Sequence, residues 1–573
     1  MFGLSIADVS VLLVYLLGTT ALGLWVGRRS RTVAEYFMPR KFSKPVMIMY
    51  AFGTGTASDQ AVLVAAATFK NGLSGIWYQW LWLFATPFYW IIAPIMRRFR
   101  AITTADVYEL RYDRGVARLY AAFGIASLAV KTGLLLKGSA VLLEGCTDGR
   151  MDTNLAMLAM SVLFVTYGTV GGLTSVILTD FVQGLLTLLF SFMLLPLVMG
   201  EVGGMEGIRR TIQDPRMFSL VAPGKIGVLF IVMIGVQALV GIVAQPFVMG
   251  TCSAGKTEVD GRVGFMVGNF VKRICTIGWA LTAIAALAWY VRRGVETTGM
   301  NADRVYGDLA RSLLPGVAPG LLGLFIAAML ASVMSSCSAY MITSSALFTE
   351  NLYRPMVPGR SSSHYIGASR VASVLIVAGG LGFASWLPSL VKGLEIWLSI
   401  APMMGIAFWM GLFWRRTTVA GAWASAIAGF VTWALAVQAP VIDWVGGLPF
   451  AGVLRLVWHE SGRAPEIYEP WRIIAYLSAG IAAGVGVSLV TRRVDPEKLD
   501  LFYALVRTPA RPGERVERPC TLPPGTVVPR RRMLLTSFEL EVPMPSRTSL
   551  LGFAAGWVMV GMLLGGFAWF VRG

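Results

Sequence analysis

Long apolar runs separated by short polar turns repeat along this chain from residue 5 to residue 571. About fourteen of them approach twenty residues, near 5–26, 45–69, 75–96, 117–144, 154–171, 178–199, 225–249, 266–291, 317–346, 367–386, 390–413, 417–437, 470–491 and 549–571. That length crosses a hydrocarbon core as a helix. The first run, Ile6 to Val26, has no basic residue before it and is too long for the apolar part of a signal peptide, so it reads as a retained helix. With 56% hydrophobic and 14% charged residues, the pattern predicts an all-α polytopic membrane protein.

Charge orders the topology. With the N-terminus outside, the loops Arg28–Lys44, Arg97–Arg118, Lys256–Arg273, Arg354–Arg370, Arg415–Arg416 and Arg492–Arg547 share one face. That face holds 32 of the 49 Lys and Arg residues, against 15 opposite and two, Lys131 and Lys137, within a span. This bias fits the positive-inside rule and predicts a multi-pass protein of a bacterial inner (plasma) membrane. The net charge of +18 therefore reports topology and contact with membrane lipid, and a nucleic-acid partner is not expected.

Chemistry is sparse. The five cysteines lack CxxC spacing, and the only histidines are His364 and His459. No Walker A motif, HExxH or Ser/His/Asp set is present, so the chain is read as neither an ATP-driven pump nor an enzyme. The Pro- and Arg-rich stretch Arg492 to Arg547 cannot bury a core of its own and reads as a cytoplasmic linker.

Three features break the apolar pattern. In the ninth span Ser332, Ser335 and Ser336 lie at i, i+3 and i+4, one face of a helix, where a polar surface in a bilayer must meet protein, water or an ion. A small cation is the visitor they suit. The second span contains AFGTGTASDQ with Asp59 at mid-segment, and the seventh contains GVQALVGIVAQPFVMG with Gly241 and Gln245–Pro246. Gly and Pro weaken the backbone ladder, and freed carbonyls are tolerated at membrane depth only where they line a cavity or hold an ion. The two interrupted spans are five apart, so each opens one of two five-helix halves of opposite orientation, as in secondary transporters with a midplane site.

At these residues the chain resembles the sodium:solute symporter family. YGTVGGLTSVILTDFVQ (Tyr167 to Gln183), AAMLASVMSSCSAYMITSSALFTENLY (Ala327 to Tyr353), GTASDQ (Gly55 to Gln60), AQPFVMGTCSA (Ala244 to Ala254) and GLFWRRTTVAGA are similar to its motifs, across most of residues 1–437. The resemblance implies a LeuT-type 5+5 inverted repeat and symport of a small organic solute with Na⁺ by alternating access. It divides the chain into an extra N-terminal span and loop (1–44), a first repeat (45–224), a second repeat (225–416), peripheral spans (417–491), the linker (492–548) and a last span (549–573).

By that resemblance Na⁺ falls on the carbonyls of Ala57, Gln60 and Ser332 and the hydroxyls of Ser335 and Ser336. Unwound carbonyls and hydroxyls suit a hard monovalent cation without titrating. Asp59 is expected to support the sodium field or to pair structurally, since a carboxylate at mid-membrane costs about 2.5–3.5 kcal/mol. Asp180 resembles the signature aspartate of the family and is expected at a gate. Lys131 is expected to face the bundle and pair with an acidic residue or an anionic substrate group; Lys137 is read as snorkelling. Val64, Gln79, Trp80, Gln245 and Phe247 are substrate-contact candidates, with Trp82 beside them.

Val64 stands where sugar-transporting members place a glutamine, and Gln79 where they carry an acid. The basic residue that proline permeases place after Gln-Pro is replaced near Gly250–Thr251. An amino acid or carboxylate is thus favoured over a sugar. Proton-coupled symport or uniport on the same fold is the alternative, followed by a transporter-derived sensor. No obligate protein partner is implied.

Overall fold

A computed structural model describes residues 3–27, 33–222, 225–387, 390–459, 464–514, 516, 518–530, 532–535 and 537–572. Arg28, at the head of the first basic loop, lies outside the described residues. Among the described residues ten helices are long and apolar enough to cross a membrane, and a pair bent by 69° makes an eleventh. The other three expected spans, the second, third and fifth, escape a length criterion because they are broken or short.

The helices are α1 (Ile6–Gly27), α2 (Lys44–Gly53), α3 (Ser58–Asn71), α4 (Tyr89–Arg98), α5 (Arg114–Cys146), α6 (Thr153–Val202), α7 (Val228–Ile242) and α8 (Pro246–Ser253). There follow α9 (Glu258–Arg292), α10 (Leu321–Ala346), α11 (Ser362–Trp386), α12 (Leu390–Phe413), α13 (Val419–Ala436), α14 (Glu469–Val490), α15 (Pro496–Arg507) and α16 (Arg547–Arg572). Strand structure among the described residues is confined to two short antiparallel pairs, Val457–Trp458 with Glu466–Ile467 and Met533–Leu535 with Val542–Pro543.

Local sequence explains the interruptions. The second span is α2 and α3, parted by Thr54–Ala57, and the seventh is α7 and α8, where Pro246 restarts the helix with Gln245 as its N-cap. The third span runs through short helical pieces at Gly72–Ile76, Trp77–Trp80 and Thr86–Phe88 before α4. Spans five and six are both within α6, divided at Gly172, whose φ of 59° suits glycine; a Cβ there would fall 2.5 Å from the Tyr36 ring.

The spans outside the ten-helix core are tied to it. Asp8 of α1 accepts a hydrogen bond from the backbone N–H of Gly323 at 2.7 Å, and Phe567 of α16 meets Trp80 edge-on at 5.6 Å.

The linker differs from its expected form. It does lack a core of its own, but it borrows one from the face that carries the basic loops. Leu499, Phe502, Tyr503 and Leu505 of α15 are buried there, and Phe502 lies 5.2 Å from Phe99. Arg100, at the end of the third span, forms an ion pair with Glu514 at 2.5 Å, the side chains only 2% and 8% exposed. Arg98 holds Glu258 of α9 at 2.8 Å, and Arg415 holds Glu541 at 2.9 Å. The segment therefore straps the two repeats together at this face.

Burial alone would raise the Glu514 carboxyl, but the hydrogen bonds and charge of Arg100 outweigh it and hold the group below its ordinary 4.5. A depressed carboxyl contributes stability that is present above pH 4.5 and lost as the pH falls through the lowered value. Glu514→Ala leaves Arg100 buried without a counter-charge, a loss of about 3–5 kcal/mol. The melting temperature of the purified protein should drop by several degrees, whereas Asp214→Ala, which frees the exposed Arg216, should leave it unchanged. Equal melting temperatures for the two variants would contradict the strap.

Candidate functional site

The break in the second span brings backbone to the serine ridge. α2 ends at Gly53; Gly55 has φ 137°, and Ala57 is extended (φ −138°, ψ 166°) before α3 starts at Ser58. Ser332, Ser335 and Ser336 of α10 are all fully buried. Ser336 Oγ donates to the Gly53 carbonyl at 2.9 Å and accepts from the Gly55 N–H at 3.3 Å. Ser332 Oγ accepts from the Ser58 N–H at 3.1 Å, and Ser58 Oγ lies 2.7 Å from Ser139 Oγ. A Cβ on Gly53 would come within 2.8 Å of Ser335 Oγ, so glycine alone lets the ridge this close.

Of the carbonyls expected to face an ion, that of Ala57 accepts the Gln60 N–H at 3.0 Å within the first turn of α3. The Gln60 side chain folds back, Nε2 donating to the Gly55 carbonyl at 2.5 Å. The carbonyl nearest the ridge is that of Gly53, one turn earlier.

Asp180 joins the same cluster. It lies inside α6, eight residues past the Gly172 kink, fully buried, with Oδ2 3.4 Å from Thr54 Oγ1. Asp180 Oδ1 and Ser335 Oγ are buried without a hydrogen bond of good geometry. A gate at the start of a span is therefore not where the fold puts this residue. Gly53 carbonyl, Thr54, Asp180, Ser335 and Ser336 form an all-oxygen group, a donor set that fits Na⁺.

Beside this group is a cavity of about 40 Å³. Gln79, Lys131, Gln245 and Phe247 line it, together with Thr54, Gly55 and Gln60 of the break. Val64 and Trp80 do not. Val64 is buried about two helical turns beyond the break, and the Trp80 indole points away to donate to the Arg273 carbonyl at 3.1 Å, while Trp82 lines the cavity. Trp82 and Trp397 lie 6.3 Å apart, and Lys131 Nζ is 4.8 Å above the Trp397 ring.

Lys131 forms a buried ion pair with Asp59, Nζ to Oδ2 2.9 Å, the side chains 2% and 4% exposed. The acidic partner expected for Lys131 is thus Asp59. Lys137 donates to the Leu387 carbonyl.

Lys272, Arg273 and Asn269, which no motif in the sequence marks, also line the cavity. The pair Lys272–Arg273 looks like the end of a basic loop. The overlooked signal is TEVD: Thr257 and Asp260 form a capping box, Thr257 N–H to Asp260 Oδ2 at 2.8 Å and Asp260 N–H to Thr257 Oγ1 at 3.1 Å. A helix starting there carries position 272 about 20 Å inward at 1.5 Å per residue. Arg273 donates to the Gln79 carbonyl at 2.5 Å.

Comparison with known proteins identifies the family and the fold. A family model, the sodium:solute symporter family, matches residues 36–429. The chain is similar to the osmoregulated proline transporter OpuE of Bacillus subtilis, 24% identical with 87% of this chain and 98% of that protein covered. It is 26% identical to the sodium/pantothenate symporter of Escherichia coli (74% and 89% covered) and 24% to the sodium/glucose cotransporter of Vibrio parahaemolyticus (74% and 84% covered). Among solved structures it resembles a Na⁺-coupled sialic acid symporter in a substrate-bound outward-open state, with a TM-score of 0.68, 16% identity, and 86% of this chain and 99% of that one covered. The helix order, the two broken spans five apart and these matches make the architecture LeuT-type, and the chain belongs to the sodium:solute symporter family.

Proposed function

We propose that this protein couples downhill influx of Na⁺ to the uptake of an amino acid or small carboxylate across a bacterial inner membrane, its N-terminus outside. Membership in a family of membrane symporters carries the coupling ion and the transport mode. One observation carries the site: the serine ridge of α10 reaches the unwound stretch of the second span through Ser336 and Gly53 at 2.9 Å. Na⁺ bound between the two elements replaces water with hydroxyl and carbonyl oxygens and with the Asp180 carboxylate. Ser332 holds the start of α3, and Ala57 and Gln60 shape the break on which the ion sits.

An ion that bridges two elements favours the conformation in which they touch. That conformation is also the one that completes the neighbouring cavity, so Na⁺ raises solute affinity and the solute raises Na⁺ affinity by the same factor. Rocking one repeat against the other then exposes the pair to the opposite side.

Uptake into proteoliposomes at fixed pH should rise with inward-directed Na⁺ and not with K⁺. Removing one ion oxygen should cost about 1.5 kcal/mol or more, so Ser335→Ala and Ser336→Ala should raise half-saturating Na⁺ at least about tenfold. Uptake that follows pH and ignores Na⁺ would favour proton coupling through Asp180 instead.

Asp59 supports the ion from a distance through its bond to Lys131. Lys131→Met and Asp59→Asn each strand a buried charge or its partner, so each should destabilise by about 3–5 kcal/mol, while the double variant should recover a large part of that loss. The check is a double-mutant cycle on melting temperature. Loss of uptake by Lys131→Met with an unchanged melting temperature would assign the lysine to the substrate rather than to Asp59.

A further inference from the structure

The charge on the cavity is one-sided. Lys131, Lys272 and Arg273 line it, and among the described residues no Asp or Glu does. Lys131 is matched by Asp59 at 2.9 Å. Arg273 spends a donor on the Gln79 carbonyl. Lys272 Nζ makes no ion pair or hydrogen bond among the described residues, although the residue is only 8% exposed and sits well inside α9. Its ammonium is placed against the break: a Cβ on Gly55 would fall 2.9 Å from Nζ.

A buried ammonium costs several kcal/mol unless an anion stands beside it. Asp59 already holds Lys131, and Asp180 faces the hydroxyl group rather than the cavity. A bound Na⁺ adds a further positive charge close by. An anionic solute supplies the missing counter-charge, whereas the ammonium of an amino acid would meet three cations and no carboxylate.

Size narrows the class. The cavity is small, about 40 Å³, which suits a short solute better than a hexose. Trp82, Trp397 and Phe247 offer apolar walls for a short carbon chain, and Gln79, Gln245 and Asn269 offer dipoles for a hydroxyl or keto oxygen.

We infer that the transported solute is a short-chain monocarboxylate without an amino group, its carboxylate received by Lys272. The inference rests on the symport reading above and separates two solute classes that reading leaves together. The carboxylate bridges Lys272 to the neighbourhood of Na⁺, so ion and solute attract each other directly as well as through the break.

The test uses full-length protein in nanodiscs, melted in Na⁺ or K⁺ with propionate, lactate or pyruvate, and with lactamide, alanine, proline and glucose as contrasts. In Na⁺ at least one of the acids should stabilise the protein, and lactate should bind at least about tenfold more tightly than lactamide, its neutral isostere. Lys272→Met should weaken acid binding by about thirtyfold or more while Na⁺ alone still stabilises the variant, and Lys272→Arg should keep part of the affinity. Equal binding of lactate and lactamide, preference for alanine, proline or glucose over every acid, or unchanged acid affinity in Lys272→Met would overturn the assignment. The lactate–lactamide contrast needs no variant, so it decides even if Lys272→Met does not fold. Absence of any Na⁺ effect on the unmodified protein, with acids bound equally well in K⁺, would count against symport and leave the carboxylate assignment standing.

Discussion

A backbone that leaves the helix inside a membrane must find its hydrogen-bond partners in protein, because hydrocarbon offers none. In this chain the obligation falls on Thr54–Ala57, and α10 meets it. Ser336 satisfies both a carbonyl and an N–H of the break, and Ser332 satisfies the N–H of Ser58. The contact needs no bulk at Gly53, a left-handed residue at Gly55 and hydroxyls at i, i+3 and i+4 on the opposing helix. Remove any of these and the second span either straightens or separates from α10, and the oxygens that suit Na⁺ disperse with it.

Charge is apportioned around that contact in a consistent way. Asp180 sits on the hydroxyl side, where a cation is welcome; Asp59 is tied to Lys131; Lys272 faces the cavity. Asp59 and Lys131 thus neutralise each other, while Asp180 and Lys272 face the places where the proposed cation and the proposed anion would bring the opposite sign, the condition for keeping ions at membrane depth. Desolvation also makes the arrangement sensitive to occupancy, since filling the cavity with the wrong sign of charge costs far more there than at a surface.

Much of this was legible in the residues themselves. Apolar run length marks the spans, including the second and seventh, because the apolar stretches on either side of GTGTASDQ and AQPF carry the run across each break. The serine spacing at 332, 335 and 336 likewise predicts a shared face against the break. Legibility fails where a side chain has two plausible directions. Trp80 and Trp82 are two residues apart in a distorted helix, and only the local 3₁₀ turns decide that Trp82 faces inward. Lys272–Arg273 fails for a different reason: hydropathy averages see two cations as a span end, while the cap at Thr257 that sets the true start is polar and short. The linker is obscure because its core belongs to other segments, so nothing within residues 492–548 announces that Phe502 and Glu514 will be covered.

That last arrangement bears on how the molecule is made. Arg100 and Glu514 are 414 residues apart in the chain, and ribosomes deliver residues in order, at about 5–20 per second. For tens of seconds after Arg100 is made, while every membrane helix but the last is synthesised, the third-span terminus lacks the anion that neutralises it. Completion of this face is thus a late event in biogenesis, and a polypeptide ending before residue 514 would leave the Arg100 guanidinium without its counter-charge.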